Sequence, residues 1–401
     1  MTVVDKQSKP TYTIPTMKSL QTLETNGLNV VSTFSGCGGT CLGYKMAGFN
    51  VLWASEFIPA AQEVYKLNHP NTILDTRDIR QVTGKDILDA IGLSRGEVDI
   101  LEGSPPCASF STSGKREKKW GQVVKYSDTT QRVDDLFNEF IRIVDEVQPK
   151  VFVAENVSGL VKGMAKGYFK AILQKMRTLN YTVEVKLLNA VWLGVPQARE
   201  RLFFIGVRTD LNKAPVFPKP LPYYYTLGDV LPYVQKVKLG GKPNSWGRAS
   251  SRPSPTILQS SATRSESAYL DGGGWIETGE SLRQKNGELY ATGKEWDNLR
   301  EGEHSKRYLD MTRTSRQRPS PTVSATGGSA GSASVTHPTE RRKFTIEELK
   351  LISSFPEDFQ ITGNFAKQWE RIGRAVPPFM ARAIAETIRD RILREEIIDE
   401  H

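Results

Sequence analysis

The chain has 401 residues, 38% hydrophobic and 25% charged, which supports a sizeable core and two lobes; no apolar run reaches membrane-spanning length, and the start lacks a signal peptide's apolar core. A net charge of +9 makes a polyanion the expected partner, nucleic acid first. The cysteines are Cys37, Cys41 and Cys107, with no neighbouring His or Cys to complete a zinc set, which argues against structural zinc and a disulfide framework and for a reducing compartment.

Residues 1–28 are polar, carry Pro10 and Pro15, and read as a mobile N-terminal arm. The run Asn29-Val-Val-Ser-Thr-Phe34 predicts a buried strand, followed by the turn Ser35-Gly36-Cys37-Gly38-Gly39 and a helix over 40–47. A glycine turn between strand and helix lets a ligand touch backbone and aims the helix N-terminus at negative charge, although this is not the full G-x-G-x-x-G pattern. A strand over 50–56 ends in Glu56, about twenty residues after the glycines, where dinucleotide folds hold ribose hydroxyls. A helix over 59–68 leads to Thr76-Arg77-Asp78-Ile79, with Asp78 at the end of a third strand. This alternation predicts a doubly wound parallel sheet.

Asp99-Ile-Leu-Glu-Gly-Ser-Pro-Pro-Cys107 predicts a strand stopped by Gly103 and the two prolines, which remove ladder donors. Cys107 then lies just past the carboxyl end of a parallel strand, the edge where open α/β sheets bind ligands. It is a candidate nucleophile; a cysteine buried as a small hydrophobe is the alternative of equal weight. Residues 113–130 are basic, lack apolar periodicity, and read as a mobile loop able to close on a charged substrate. A helix over 134–147 precedes a strand over 150–154 that delivers Glu155-Asn156-Val157 to the same edge. A helix over 167–179 and strands over 181–189 and 202–207 complete the lobe. Gln197, Arg199 and Arg201 alternate on one strand-like face, where arginines grip phosphate or a flipped nucleotide, or form surface ion pairs.

From Pro215 onward prolines, glycines, serines and tyrosines dominate. Arg-Pro-Ser-Pro-Thr occurs at 252–256 and 318–322, each copy stiffening the start of a strand and together framing Gly272-Gly-Gly-Trp275. Residues 215–335 hold 16 basic against 11 acidic residues, so much of the positive surplus lies here. A helix within 341–355, capped by Thr345-Ile-Glu-Glu348, precedes a turn through 369–378 and a last helix over 379–397. Its Met380, Ile384, Ile388 and Ile392 form a face expected to pack on the first lobe.

In this order, Phe34-Ser-Gly-Cys-Gly-Gly39, Glu56, Asp78-Ile79, Pro105-Pro-Cys107, Glu155-Asn-Val157, Gln197-x-Arg199-x-Arg201, Arg341–Phe355 and Gly373–Pro378 resemble the DNA (cytosine-5) methyltransferase family over residues 29–210 and 340–395. The resemblance implies an α/β fold. A Rossmann-like S-adenosylmethionine-dependent domain spans 29–210, a smaller, mostly β target-recognition domain 211–345, and C-terminal helices over 346–401 complete the catalytic domain. S-adenosylmethionine is the implied donor, S-adenosylhomocysteine the product, and no metal is implied. By that resemblance Phe34 lies on the adenine, Gly36, Gly38 and Gly39 admit the methionine part, and Ser35 adds a cofactor contact. Glu56 takes the ribose hydroxyls, Asp78 and Ile79 meet the adenine edge, and Phe57 and Ser104 add cofactor contacts. The implied catalytic set is Cys107 as nucleophile, Pro106 beside it, Glu155 at ring nitrogen 3, Arg199 at the base carbonyl, and Arg201. The implied substrate is duplex DNA with a flipped cytosine. A monomer in the cytoplasm of a bacterial or phage-type host is expected, alone or beside a cognate restriction endonuclease. Two residues depart from the family pattern: Ala108 in place of Gln, and Arg374 in place of Asn. A tRNA cytosine-5 methyltransferase and a catalytically inactive DNA-binding scaffold are the rival readings; the long basic region 215–335 favours DNA, and the intact Cys107 and Glu155 favour catalysis.

Overall fold

A computed structural model describes residues 9–106, 135–161, 165–231, 282, 284 and 288–394, together with strand backbone at 124–126 and 129–131. The apolar runs of the first half form β1 (Asn29–Thr33), β2 (Asn50–Ser55), β3 (Ile73–Asp75), β4 (Ile100–Gly103), β5 (Val151–Val157), β6 (Tyr181–Asn189) and β7 (Glu200–Arg208). They make one seven-stranded sheet in the order β3-β2-β1-β4-β5-β7-β6. The first five strands pair in parallel, whereas β7 runs antiparallel to both β5 and β6. The expected parallel sheet is therefore corrected at β7. Residues 190–199 hold a short helical turn, Ala190–Leu193, and the two-residue strand Gln197–Ala198, too short a link for parallel neighbours, which need a crossover of about a dozen residues or more.

Around the sheet lie α1 (Gly39–Met46), α2 (Pro59–Asn68), α3 (Gly84–Ile91), α4 (Leu136–Val147), α5 (Ala165–Thr178) and α6 (Pro378–Ile388). Successive strand residues feed opposite cores, as period-two geometry requires. Val30, Ile100, Val153 and Phe203 join Tyr44, Met380, Ile384 and Ile388 on one face. Val31, Leu101 and Phe152 join Phe140, Val144 and Ile172 on the other. The repeat at Met380, Ile384, Ile388 and Ile392 is buried throughout, as its spacing predicts. The helix is shorter than expected: it ends at Ile388, and Arg389–Leu393 form a wider π turn. Helices α1 and α6 meet almost backbone to backbone, because a Cβ on Gly43 would lie 2.5 Å from both the Ala381 Cβ and the Pro378 carbonyl oxygen.

Chain contacts divide the molecule into two units, one of Ile14–Tyr224, Ser354–Thr362 and Ala375–His401, the other of Met1–Thr13, Tyr225–Ser353 and Gly363–Arg374. The long middle segment of the second unit begins at Tyr225, and residues 354–401 are divided between the two units. The sheet belongs to the first unit. Described elements of the second are the helices Leu227–Val230, Ala291–Asn298, Ile346–Ile352 and Phe365–Arg374, and the parallel two-residue strands Thr312–Arg313 and Val335–Thr336. The predicted capping box forms between Thr345 and Glu348, and Glu348 also takes a two-pronged bond from Arg342, at 2.7 and 2.8 Å. Gly373 lies inside a helix rather than in the expected turn, its missing side chain accommodating Ala325. In the second Arg-Pro-Ser-Pro-Thr copy only Ser320–Pro321 is extended, and Val323 is buried. The first copy and Gly272–Trp275 lie outside the described residues.

Three local expectations are corrected. Residues 9–26 are not a free arm: the Asp358 carboxylate accepts from Met17 and Lys18 N–H at 2.8 and 3.2 Å, capping a short helix, and the Tyr12 hydroxyl donates to the Leu351 carbonyl at 2.9 Å. The third strand ends at Asp75, whose side chain accepts from the Arg77 N–H at 2.9 Å and turns the chain. Residues 124–126 and 129–131, expected in a loop, pair as a small antiparallel hairpin.

Candidate active site

The order of winding reverses between β1 and β4, and a crevice forms outside the carboxyl ends of strands at such a point. Phe34 to Gly39 leave β1 there. Phe34 is half-buried with φ at +54°, a left-handed conformation that costs a non-glycine residue about 1–3 kcal/mol. Gly36 N–H donates to Glu56 Oε2 at 2.7 Å, and Ile58 N–H donates to Glu56 Oε1 at 2.7 Å. The buried Glu56 carboxylate thereby ties the glycine turn to the start of α2. A Cβ on Gly36 would meet nothing within 4 Å, so this side of the turn is open. Gly38 differs: at φ +89° its missing Cβ would fall 2.2 Å from His69 Nε2. Phe57, next to Glu56, is exposed.

Asp78 caps the 3-10 turn Ile79–Gln81, accepting from the Arg80 N–H at 3.0 Å and from its guanidinium at 2.8 Å. Ile79 is buried, and its carbonyl accepts from Arg142 at 2.9 Å.

At the end of β4, the Pro105 carbonyl accepts from Asn156 Nδ2 at 3.1 Å, which fixes the proline pair. Pro106 is the last described residue of this segment; Cys107, Ala108, Ser109, Ser111 and the basic stretch through Lys118 and Lys119 lie outside the described residues. The Ser104 hydroxyl is buried with no hydrogen-bond partner among the described residues. Glu155 lies within β5 rather than beyond it, and Arg201 Nε donates to Glu155 Oε1 at 2.7 Å. The reversal of β7 explains this meeting, because it brings the start of that strand to the edge where the parallel strands end. Burial lowers the proton affinity of Arg201, with Glu155 opposing. Arg199 is 1% exposed, and burial first, then Arg201, lowers its proton affinity well below the usual arginine value. Gln197 is equally buried, so the predicted alternation holds.

Three neighbours, Glu102, His69 and Arg142, were not singled out from sequence. Glu102, on β4, is 2% exposed and accepts from the Ser32 hydroxyl. Burial pushes its carboxyl up to about 8, with Glu155 adding and Ser32 opposing. An acid in an otherwise apolar strand was the available signal. His69 is buried with Nδ1 3.0 Å from Lys45 Nζ; burial and then Lys45 push its imidazole well down. Arg142 donates to the Ile79 and Val82 carbonyls at 2.9 Å each and pairs with Glu139 and Glu146, a partnership visible in their helical spacing. Cys41 is fully buried, and burial, then Glu102, pushes its thiol up to about 11, which makes it unreactive.

Residues 28–390 match the profile of a family described as C-5 cytosine-specific DNA methylase. The chain is 31% identical over 362 residues to the type II methyltransferase M1.HphI of Haemophilus parahaemolyticus, spanning 90% of this chain and 86% of that one. It is 32% identical over 389 residues to the type II methyltransferase M.DdeI of Desulfomicrobium norvegicum, spanning 90% and 88%. In fold it is similar to a crystal structure of a prophage-encoded DNA modification methyltransferase candidate of E. coli, with TM-score 0.65 and 23% identity over 92% of this chain and 100% of that one. It is likewise similar to Spodoptera frugiperda DNMT2, with TM-score 0.56 and 18% identity over 90% and 99%.

Proposed function

The chain belongs to the C-5 cytosine-specific DNA methylases, and from that premise we propose that it methylates carbon 5 of a cytosine flipped out of duplex DNA, through a covalent bond between Cys107 and carbon 6. The observation supporting this most is the convergence of Pro105-Pro106, the Glu155–Arg201 pair and Arg199 on one sheet edge, beside the turn held by Glu56.

S-adenosylmethionine suits the edge: Gly36 has an open side, Glu56 offers a buried carboxylate, and the Ser104 hydroxyl lacks a partner among the described residues. Phe34, Ser35, Gly36, Gly38, Gly39, Glu56, Phe57, Asp78, Ile79 and Ser104 are the residues assigned to hold it. When bound, it supplies an electrophilic methyl group on a sulfonium. Carbon 5 of cytosine is a poor nucleophile until a thiolate adds at carbon 6 and breaks the ring's aromaticity, and Cys107 is assigned that addition. The ring accepts the thiolate when nitrogen 3 receives a proton or hydrogen bond, the role given to Glu155, with Arg201 orienting it. Arg199 counters charge on the base carbonyl. Once carbon 5 is methylated, loss of its proton expels Cys107. A base stacked in a duplex is out of reach, so the target must flip out. Segment 240–335 reads the DNA sequence, and the enzyme works as a cytoplasmic monomer, alone or beside a cognate restriction endonuclease.

Duplex DNA carrying 5-fluorocytosine at the target tests the scheme, because fluorine cannot leave as a proton does. With S-adenosylmethionine present, the protein–DNA adduct should survive denaturing electrophoresis. Cys107→Ser should abolish adduct and turnover, and Cys37→Ser should keep both. Carbon 5 methylation by Cys107→Ser would overturn the mechanism; methylation of tRNA but not duplex DNA would favour the RNA reading.

A further inference from the structure

Glu102 has no task in the chemistry above, yet it lies on the strand that leads to Pro105-Pro106. Its carboxyl is bonded to the Ser32 hydroxyl, and Ser32 Oγ lies 2.7 Å from Ser35 Oγ. A chain of three oxygen-bearing groups thus runs from the sheet interior to the first residue of the glycine turn. Each hydroxyl donates one hydrogen, so the inner end decides which way the whole chain points. With Glu102 protonated, its hydrogen goes to Ser32 and that of Ser32 goes to Ser35. The Ser35 hydrogen then has only a 3.3 Å contact with the Ser32 carbonyl and is available to a better acceptor. With Glu102 ionised, both serine hydroxyls turn inward and Ser35 offers only lone pairs.

We propose that Glu102 is a positioning residue for the cofactor: as a neutral acid it orients Ser32 so that the Ser35 hydroxyl donates to the carboxylate of S-adenosylmethionine. This rests on the S-adenosylmethionine reading and extends it. The titratable groups acting on Glu102 are Cys41 and Tyr44 of α1, Tyr65 of α2 and Glu155 of β5. Burial keeps the thiol and both phenols neutral. The nearby cations are engaged elsewhere, Lys45 with His69 and Thr72, and Arg201 with Glu155. From α6 the same core receives apolar side chains, Met380 and Ile384 among them. No facing cation on these elements offsets ionisation, so the chain points outward at pH 7 and reverses as pH rises through about 8.

The test is calorimetric S-adenosylmethionine binding to the full chain between pH 6.5 and 9.5, in wild type, Glu102→Gln and Ser35→Ala. The glutamine amide donates to Ser32 at every pH. Glu102→Gln should bind within a few-fold of wild type at pH 7 and about tenfold tighter than wild type at pH 9. The ligand's own amino group titrates equally with both proteins, so the ratio is the readout. Ser35→Ala should bind about tenfold more weakly at pH 7 and lose the alkaline decline beyond that of the ligand. Parallel decline in wild type and Glu102→Gln, or wild-type binding by Ser35→Ala, would overturn the proposal. If Glu102→Gln does not fold, wild type against Ser35→Ala decides it alone. Absence of binding by wild type at pH 7 would instead refute the cofactor reading.

Discussion

Glu56→Gln probes the proposed cofactor end of the site at a known geometry. The two carboxylate oxygens accept from Gly36 and Ile58 N–H at 2.7 Å each. Glutamine retains one acceptor and turns an amide nitrogen toward the other N–H. A hydrogen bond to a charged group contributes about 1.5–3 kcal/mol, and Glu56 is buried, so the ligand-free protein should lose about 2 kcal/mol. Loss of a charged acceptor for ribose hydroxyls should weaken S-adenosylmethionine by about a further 2 kcal/mol, roughly thirtyfold. Urea denaturation without ligand measures the first effect, and calorimetry on the folded variant the second. A folded Glu56→Gln with a lowered urea midpoint and undiminished affinity would show that this carboxylate shapes the turn without touching the cofactor, and the assignment would fall.

Gly43→Ala should destabilise the first unit by about 1–3 kcal/mol, because the methyl overlaps Ala381 and Pro378; an unchanged melting temperature contradicts the packing argument. Burial, then Arg342, lowers the His337 imidazole to about 4, so between about pH 6.5 and 4 the unfolded chain binds a proton that the folded one refuses. That stability is present above about pH 6.5 and falls by about 3 kcal/mol toward pH 4. In His337→Asn, whose amide oxygen can accept the Thr339 and Glu340 N–H groups now bonded to Nδ1, the acid slope in urea titrations should flatten. Arg142→Gln removes donors from the Ile79 and Val82 carbonyls and should cost about 1–2 kcal/mol, read from the same titration at pH 7.

What sequence disclosed was mostly local. The strand runs at 29–34 and 50–56, the helix over 59–68, the Thr345–Glu348 cap and the four-residue repeat of α6 all depend on neighbours within a turn or two; the strands, helix and cap appear close to their predicted bounds, and the repeat is buried although its α-helix ends at Ile388. What escaped was non-local. The reversal of β7 depends on how short a link joins it to β6. The arm is held by Asp358, which no local pattern near Met17 announces. Ser32 and Glu102 meet only because β1 and β4 are neighbours in the sheet. Chain order alone also separates Glu155 from Arg201, although both were singled out as candidates.

The close meeting of α1 and α6 has a consequence for biosynthesis. Gly43 is synthesised long before Ala381, yet each completes the other's surface. Until α6 leaves the ribosome, the sheet face bearing Val30, Ile100 and Phe203 is covered by α1 but lacks its second helix. The nascent chain must therefore keep an apolar face from sticking to its neighbours throughout elongation, a demand that chaperones meet. Prematurely terminated chains are left with that face partly uncovered, so aggregation and proteolysis should clear them before they can act on DNA.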